Sequence, residues 1–165
     1  RSVLEPLAHR VPSNQNPLEI QLAENLPCRI EVLEERALHI ERLPDISFEE
    51  LCERLGDKLY SRAILTPVKL LDAPWEDCIQ WFGSWCPVVT ESAKHKRVPA
   101  GEYLTCECYI ASDMGYMAAL EGMEKQAKRL DVCPDWDGLC VEQILEIDDS
   151  MTGGIVLRVE VPVRR

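Results

Sequence analysis

Residues 139–147 have the sequence Leu-Cys-Val-Glu-Gln-Ile-Leu-Glu-Ile, and this stretch decides the fold. Its apolar residues predict a strand that is buried on at least one face. One face of such a strand carries every second residue, here Cys140, Glu142, Ile144 and Glu146. If this face is buried, an unpaired Glu142 carboxylate costs on the order of several kcal/mol or takes up a proton. The alternative is that the face lies in water.

The surrounding sequence predicts one strand–helix–strand–strand unit. Residues 98–110 alternate like a strand, and a helix is expected to begin at Ser112 or Asp113. A hairpin loop at residues 148–154 connects the 139–147 strand to a last strand, Ile155 to Val163. Arg158 on that last strand is a candidate internal partner for Glu142.

The 98–110 strand has two different faces. One face is apolar, and the other carries Tyr103, Thr105, Glu107 and Tyr109. This second face is either solvated or lines a cleft. The helix after the strand repeats apolar residues at three- and four-residue spacing, which predicts one buried side. That side comprises Tyr116, Leu120, Met123, Ala127 and Leu130.

A shorter copy of the same unit precedes it. Two strands are expected within residues 28–43, a helix capped by Ser47 and Glu50 follows, and Ala63 to Leu71 predicts another strand. The predicted fold class is therefore α+β, with two pseudo-symmetric strand–helix–strand halves, antiparallel sheets, helices on one side and a cleft between the halves. The halves are placed at about 26–71 and 97–165, behind a tail or linker at 1–25.

Residues 72–96 are expected to form an irregular, aromatic-rich connection, with at most one short helix. They contain three tryptophans, Trp75, Trp81 and Trp85, together with Pro74, Gly83 and Pro87. Two interpretations remain open for the tryptophans, namely ordinary packing under a long loop or a place in a ligand pocket.

Composition excludes several classes of protein. The 165 residues include 18 basic and 29 acidic residues, which gives a net charge of −11. This balance argues against direct contact with nucleic acid, because phosphate binding depends on Lys and Arg. The sequence has neither an apolar stretch of about 20 residues nor a signal peptide, so we predict a cytoplasmic protein without membrane contact. The chain begins Arg1-Ser2, which is compatible with a fragment of a longer protein.

The eight cysteines are interpreted as free, mostly buried thiols. The sequence has no Cys-x-x-Cys pair, and His9, His39 and His95 are scattered. Neither a metal site nor a cofactor is therefore predicted.

Three segments together resemble a known family. They are Pro99–Tyr103, Val141–Ile147 and Leu157–Val163, in that order and with a helix after the first. In this respect the chain is similar to the GyrI-like (AraC-type effector-binding) superfamily, and within it to the C-terminal drug-binding domains of MerR-family multidrug regulators. Tyr60–Val68 matches a mid-chain strand of those domains, and the resemblance runs from about residue 26 to the end.

The resemblance implies a duplicated SHS2-like fold whose cleft takes lipophilic, often cationic, molecules. Glu142 falls at the position of the glutamate that meets the positive charge. With the aromatic residues, the candidate ligand-binding set is Glu142, Tyr103, Glu107, Tyr109, Tyr116, Trp75, Trp81 and Trp85. Val141 and Leu157 stand where the family commonly has aromatic residues, so the ligand range does not carry over.

Three functions remain open at this point. The chain is either the effector-binding domain of a bacterial transcription regulator, whose DNA contact would come only from a domain upstream, or a stand-alone ligand-binding protein. The alternative is a GyrI-like hydrolase acting on a reactive electrophile, with Glu142 or Glu107 as general acid or base and Tyr103 or Tyr109 as donor. No catalytic residue is assigned, and the oligomeric state stays open.

Overall fold

In the computed structural model, the described part of the chain comprises residues 26–42, 48–71, 73, 75–88, 92–148 and 154–164. The strands are β1 (Arg29–Leu33), β2 (Arg36–Glu41), β3 (Arg62–Pro67), β4 (Trp81–Cys86), β5 (His95–Val98), β6 (Gly101–Ile110), β7 (Cys133–Pro134), β8 (Leu139–Ile147) and β9 (Ile155–Arg164). The helices are α1 (Phe48–Leu55), α2 (Trp75–Cys78) and α3 (Asp113–Arg129), with 3-10 turns at Gly56–Ser61 and Val68–Leu70.

The strands form an antiparallel sheet in the order β1-β6-β9-β8-β3-β4-β2-β5, with β7 pairing β9. The sheet contains two copies of one unit. The first copy is β2–α1–β3–β4, in which β4 pairs with both β2 and β3. The second copy is β6–α3–β8–β9, in which β9 pairs in the same way with both β6 and β8. The two second strands, β3 and β8, pair with each other at the centre. The α+β fold class and its pseudo-symmetric halves are therefore confirmed.

The sheet curls until its two ends approach each other. Only Glu34 and Glu35 join β1, at one edge, to β2, which lies next to the other edge. Likewise only Pro99 and Ala100 join the edge strand β5 to β6. Two linking residues span about 10 Å, so the ends must lie close in space. We call the enclosed side of the sheet the inner face and the other side the helix face.

The main core lies on the helix face, where α1 and α3 pack against the same side of the sheet. It joins Leu51 of α1 and Met123 of α3 to Ile64, Ile144 and Leu157 on the strands. Helix α3 begins as predicted, because the Ser112 side chain accepts a hydrogen bond from Gly115 N at 3.0 Å. The inner face holds a smaller apolar cluster that includes Leu38, Leu65, Val98, Tyr103 and Val141.

Several predicted elements differ from the structure. The connection at 72–96 is not irregular throughout, since Trp81–Cys86 forms β4, which pairs with both β2 and β3. The strand expected up to Leu71 ends at Pro67, which has no N–H to continue the ladder, and a 3-10 turn follows. The capping residue Ser47 and most of the hairpin loop at 148–154 lie outside the described residues.

Candidate functional site

Glu142 is a buried carboxylate at the centre of the helix face. It lies on β8 between Ile64 of β3 and Val159 of β9, and it is 1% exposed. Its Oε1 accepts a hydrogen bond from the Tyr116 hydroxyl of α3 at 2.5 Å. Its Oε2 is buried and has no hydrogen-bond partner in the part of the chain that the structure describes. The water-facing alternative is therefore wrong for Glu142, although Glu146 on the same strand is exposed.

Burial dominates the acid–base behaviour of Glu142. Loss of hydration raises the pKa of its carboxyl from 4.5 to about 7, and the hydrogen bond from Tyr116 opposes that rise. The same burial, together with the neighbouring Glu142, raises the pKa of the Tyr116 hydroxyl, which therefore stays a donor. A group of this kind is poised to change charge near neutral pH.

Tyr116 and Glu142 meet because Tyr116 lies on the side of α3 that faces the sheet, and Glu142 lies on the face of β8 that faces α3. Tyr116 falls on the apolar stripe of α3, one turn inside the Ser112 cap. Glu142 alternates with Cys140 and Ile144, which are both buried in the helix-face core. Of the eight predicted ligand residues, these two are brought into direct contact.

An apolar pocket opens between α3 and the sheet on the same face. Its floor includes Leu104 and Val161, and its wall includes Met117 and Leu120 from α3. Its full lining is Val68, Leu71, Leu104, Met117, Leu120, Glu121, Met123, Glu124, Pro134, Trp136 and Val161. Val161 lies two positions along β9 from Val159, which is opposite Glu142. That separation is about 7 Å along β9, and Glu142 lies one strand further across the sheet, so the pocket lies on the same face as the buried carboxylate but does not contain it.

Three other predicted residues lie on the inner face, away from Glu142. Tyr103 is buried there and donates a hydrogen bond from its hydroxyl to Pro99 O at 2.5 Å. Trp81 and Trp85 are partly buried against the same cluster. Side-chain cations lie over these rings, with the Arg36 guanidinium 4.9 Å from Trp85 and 5.5 Å from Tyr103, and the Lys96 ammonium 4.2 Å from Trp81.

A chain of charged groups crosses the inner face. Glu160 binds Arg36 at 2.7 Å through Oε1 and Arg158 at 2.9 Å through Oε2. Arg158 also binds Glu31 at 2.7 Å. The hydrogen bond from Thr105 and the neighbouring Arg158 lower the pKa of the Glu31 carboxyl to about 2.

Arg158 does not serve as the internal partner of Glu142, and that expectation is wrong. Arg158 lies opposite Gln143 on β8, and successive residues of a strand point to opposite faces. Its guanidinium is therefore on the inner face, bound to Glu31 and Glu160. Among the described residues, the one hydrogen bond to the Glu142 side chain comes from Tyr116.

Glu107 and Tyr109 take no part in the contacts described for either cluster. Glu107 is exposed on β6, and the Tyr109 ring packs against Gly154, where an added Cβ would lie 2.2 Å from the phenol oxygen. Trp75 belongs to α2, but its side chain lies outside the described residues. Among the residues that the structure describes, no group of three or more His, Cys, Asp or Glu side chains is arranged to hold a metal ion. No described helix is long and apolar enough to cross a membrane.

Sequence reasoning missed the inner-face charges. Arg36, Glu160 and Glu31 belong to strands whose alternation is visible in the sequence. Their meeting depends on the curl of the sheet, which brings β2 across to β9. Only the two very short links between distant strands could have signalled that curl.

Comparison with known proteins relates the chain to solved structures. No protein-family model matches the chain, and no curated protein sequence is significantly similar to it. The EcmrR C-terminal domain matches at 11% identity with a TM-score of 0.55, covering 85% of this chain and 98% of that one. EcmrR in complex with DNA matches at 8% identity with a TM-score of 0.54, covering 90% of this chain and 66% of that one. SAV2435 bound to tetraphenylphosphonium matches at 12% identity with a TM-score of 0.48, covering 84% of this chain and 94% of that one.

At this level of identity, the likeness to the EcmrR structures shows the fold. The chain has the fold of the EcmrR C-terminal domain, and this fold agrees with the α+β class that the sequence predicts. The ligand has to be argued from the chain's own residues.

Proposed function

We propose that this chain is a small-molecule-binding domain of the kind that senses effectors in transcription regulators, and that Glu142 pairs with the positive charge of a lipophilic cation. The observation that carries the proposal is the buried carboxylate oxygen of Glu142 that lacks a hydrogen-bond partner among the described residues. Such a group is costly in the free protein, and a cationic ligand would relieve that cost.

The electrostatics of the helix face favour a cation. Glu142 accepts its hydrogen bond from a neutral hydroxyl, and no basic side chain of the described residues forms an ion pair with it, so nothing in that part of the chain neutralises its charge. Glu121 and Glu124 add acidic groups at the neighbouring pocket. In surroundings of low dielectric constant, the attraction between a carboxylate and a delocalised cation is much stronger than in water.

The pocket beside α3 offers the route of access. Its lining is largely apolar, and it contains Trp136, which is 41% exposed. A flat, apolar cation would first enter this pocket. Contact with Oε2 of Glu142 then requires the first turns of α3 to shift, because Glu142 is 1% exposed.

The test is a comparison of a cation with a neutral molecule of similar shape. We expect methyltriphenylphosphonium to bind the intact chain more tightly than triphenylphosphine oxide in isothermal titration calorimetry. Glu142→Gln should weaken the cation by about 10- to 100-fold and the neutral molecule by less than about threefold, because only the charge pairing is lost. Glu146→Gln is the matched control, since Glu146 lies exposed on the same strand.

The acid–base behaviour of Glu142 gives a second readout. Its pKa is about 7, so the carboxyl gains its negative charge as the pH increases toward 7. Affinity for the cation should therefore increase about tenfold for each pH unit up to pH 7 and stay constant at higher pH. Equal weakening of the two ligands by Glu142→Gln, or an affinity that does not change between pH 5 and 8, would overturn the charge-pairing role.

A hydrolase is the second candidate function. It is favoured by the pKa of about 7 at Glu142, because a general acid or base works best near the pH of the reaction. Tyr116 would be the accompanying hydroxyl donor, rather than Tyr103 or Tyr109. Turnover of a strained epoxide that disappears in Glu142→Gln would favour the enzyme. Binding without turnover favours the sensor.

A further inference from the structure

The rings of Trp81, Trp85 and Tyr103 lie on the inner face and do not surround Glu142. We propose that the inner face carries a second binding site, in which Arg36 receives the carboxylate of a small organic acid beside the rings of Trp85 and Tyr103. This site is independent of the cation site on the helix face.

The unused hydrogen-bonding edge of Arg36 is the first observation. Its Nη1 binds Glu160 at 2.7 Å. Its Nε and Nη2 are buried and have no hydrogen-bond partner of good geometry within the described ranges, while the Tyr103 hydroxyl lies close enough to the guanidinium to interact with its charge. In a guanidinium these two N–H groups point the same way and form a fork that fits both oxygens of one carboxylate.

Arg62 shows the same fork in use within this protein. Its Nε donates to Glu41 Oε2 at 2.8 Å, and its Nη2 donates to Glu41 Oε1 at 3.0 Å. Arg36 presents the same pair of donors without the carboxylate. A buried, charged donor pair of this kind is uncommon without a function, because unmet hydrogen bonds of charged groups are costly.

The charges around the rings favour an anion over a cation. Arg36 and Lys96 lie over the three rings. The acidic groups of the same charge chain, Glu160 and Glu31, are bound to Arg36 and Arg158. Ring faces that attract a cationic ligand are therefore already covered by the chain's own cations. The Arg36 side chain is 24% exposed and Trp85 is partly exposed, so the fork lies just beneath the surface.

Benzoate and neutral benzamide are the test pair, titrated into the intact chain and followed by NMR. We expect benzoate to bind with a dissociation constant of about 1 mM, shifting the Arg36 Nε–H and Trp85 indole N–H signals. Benzamide should bind at least about tenfold more weakly. Arg36→Lys keeps the charge next to Glu160 but removes the fork, so it should weaken benzoate by about tenfold.

The control is Arg62→Lys, which makes the same change at the guanidinium whose fork is already bound to Glu41. It should leave the benzoate affinity within about twofold of the wild-type value. Glu142→Gln should also leave it unchanged, which separates this site from the cation site. The proposal is overturned by equal binding of benzoate and benzamide, by an Arg36 Nε–H signal that does not move, or by unchanged benzoate affinity in folded Arg36→Lys.

Discussion

Glu142 and Glu160 are buried carboxylates on neighbouring strands, and they face opposite sides of the same sheet. Glu160, which is 5% exposed, is held by two arginines on the inner face. Glu142, which is 1% exposed, has a single hydrogen bond from a neutral hydroxyl on the helix face. The charge of Glu160 is neutralised by basic side chains of the chain itself, whereas Glu142 Oε2 has no partner among the described residues. The comparison teaches that burial alone does not mark a binding group, and that the difference lies in what neutralises the charge.

The largest expected effect is on the paired side. Glu160→Gln removes the charge that holds Arg36 and Arg158, so we expect it to lower the free energy of unfolding by about 3 kcal/mol at pH 7. Urea unfolding measures the change, with Glu146→Gln as the exposed control. A loss below about 0.5 kcal/mol would mean that the network contributes little.

Glu142→Gln should increase the free energy of unfolding at high pH, whereas Glu160→Gln should decrease it. Because the pKa of Glu142 rises from 4.5 to about 7 on folding, the native state binds the proton more tightly than the unfolded state. The stability contributed by this group is therefore present below pH 4.5 and is lost as the pH rises through 7. The free energy of unfolding of Glu142→Gln, taken relative to that of the wild type, should increase by about 2–3 kcal/mol from pH 5 to pH 8. Urea unfolding of both proteins at the two pH values measures this change. A difference that does not depend on pH would contradict the raised pKa.

The Tyr116 hydroxyl should contribute a smaller amount. Tyr116→Phe leaves Glu142 without its hydrogen bond and should cost about 1–2 kcal/mol at pH 8, and less at pH 5, where the carboxyl is protonated. Because that bond lowers the pKa of Glu142, the variant should also shift the Glu142 titration upward. Repeating the substitution in the Glu142→Gln background isolates the pairwise energy, and strict additivity would argue against the contact.

The smallest effect is expected at Glu31, on the edge strand of the inner face. Its pKa is lowered to about 2 by Thr105 and Arg158, so its contribution is present above pH 4.5 and is lost as the pH falls toward 2. The side chain is 25% exposed, so screening limits the cost of Glu31→Gln to about 1 kcal/mol at pH 7. That cost should fall by about half at pH 3, the reverse of the trend at Glu142. A cost that stays constant with pH would exclude the ion pair as its cause.

Alternation and helical spacing predict most of the fold. The 139–147 strand, the start of α3 at Ser112 and the duplicated order of elements are all visible in the sequence, because each depends on local periodicity or capping. Strand β4 escapes prediction because Pro74, Gly83 and Pro87 suggest an irregular segment, whereas pairing to both β2 and β3 overrides that local preference.

The candidate site is predicted less completely. The position of Glu142 among apolar residues identifies it as exceptional, and the helical stripe places Tyr116 in the core. Whether the tryptophans share a site with Glu142 cannot be predicted in this way, because it depends on which side of a curled sheet each strand presents. The same curl assigns Arg158 to Glu160 rather than to Glu142.

The titration of Glu142 itself tests the central claim most directly. The carboxyl carbon of Glu142 can be followed by carbon-13 NMR of selectively labelled protein from pH 4 to pH 9, with its signal assigned by loss in Glu142→Gln. We expect a midpoint near pH 7, because burial of the Glu142 carboxylate disfavours its ionised form and the hydrogen bond from Tyr116 offsets only part of that cost. A midpoint between pH 4 and pH 5 would show that Glu142 is hydrated or already paired with a cation, and would contradict the account.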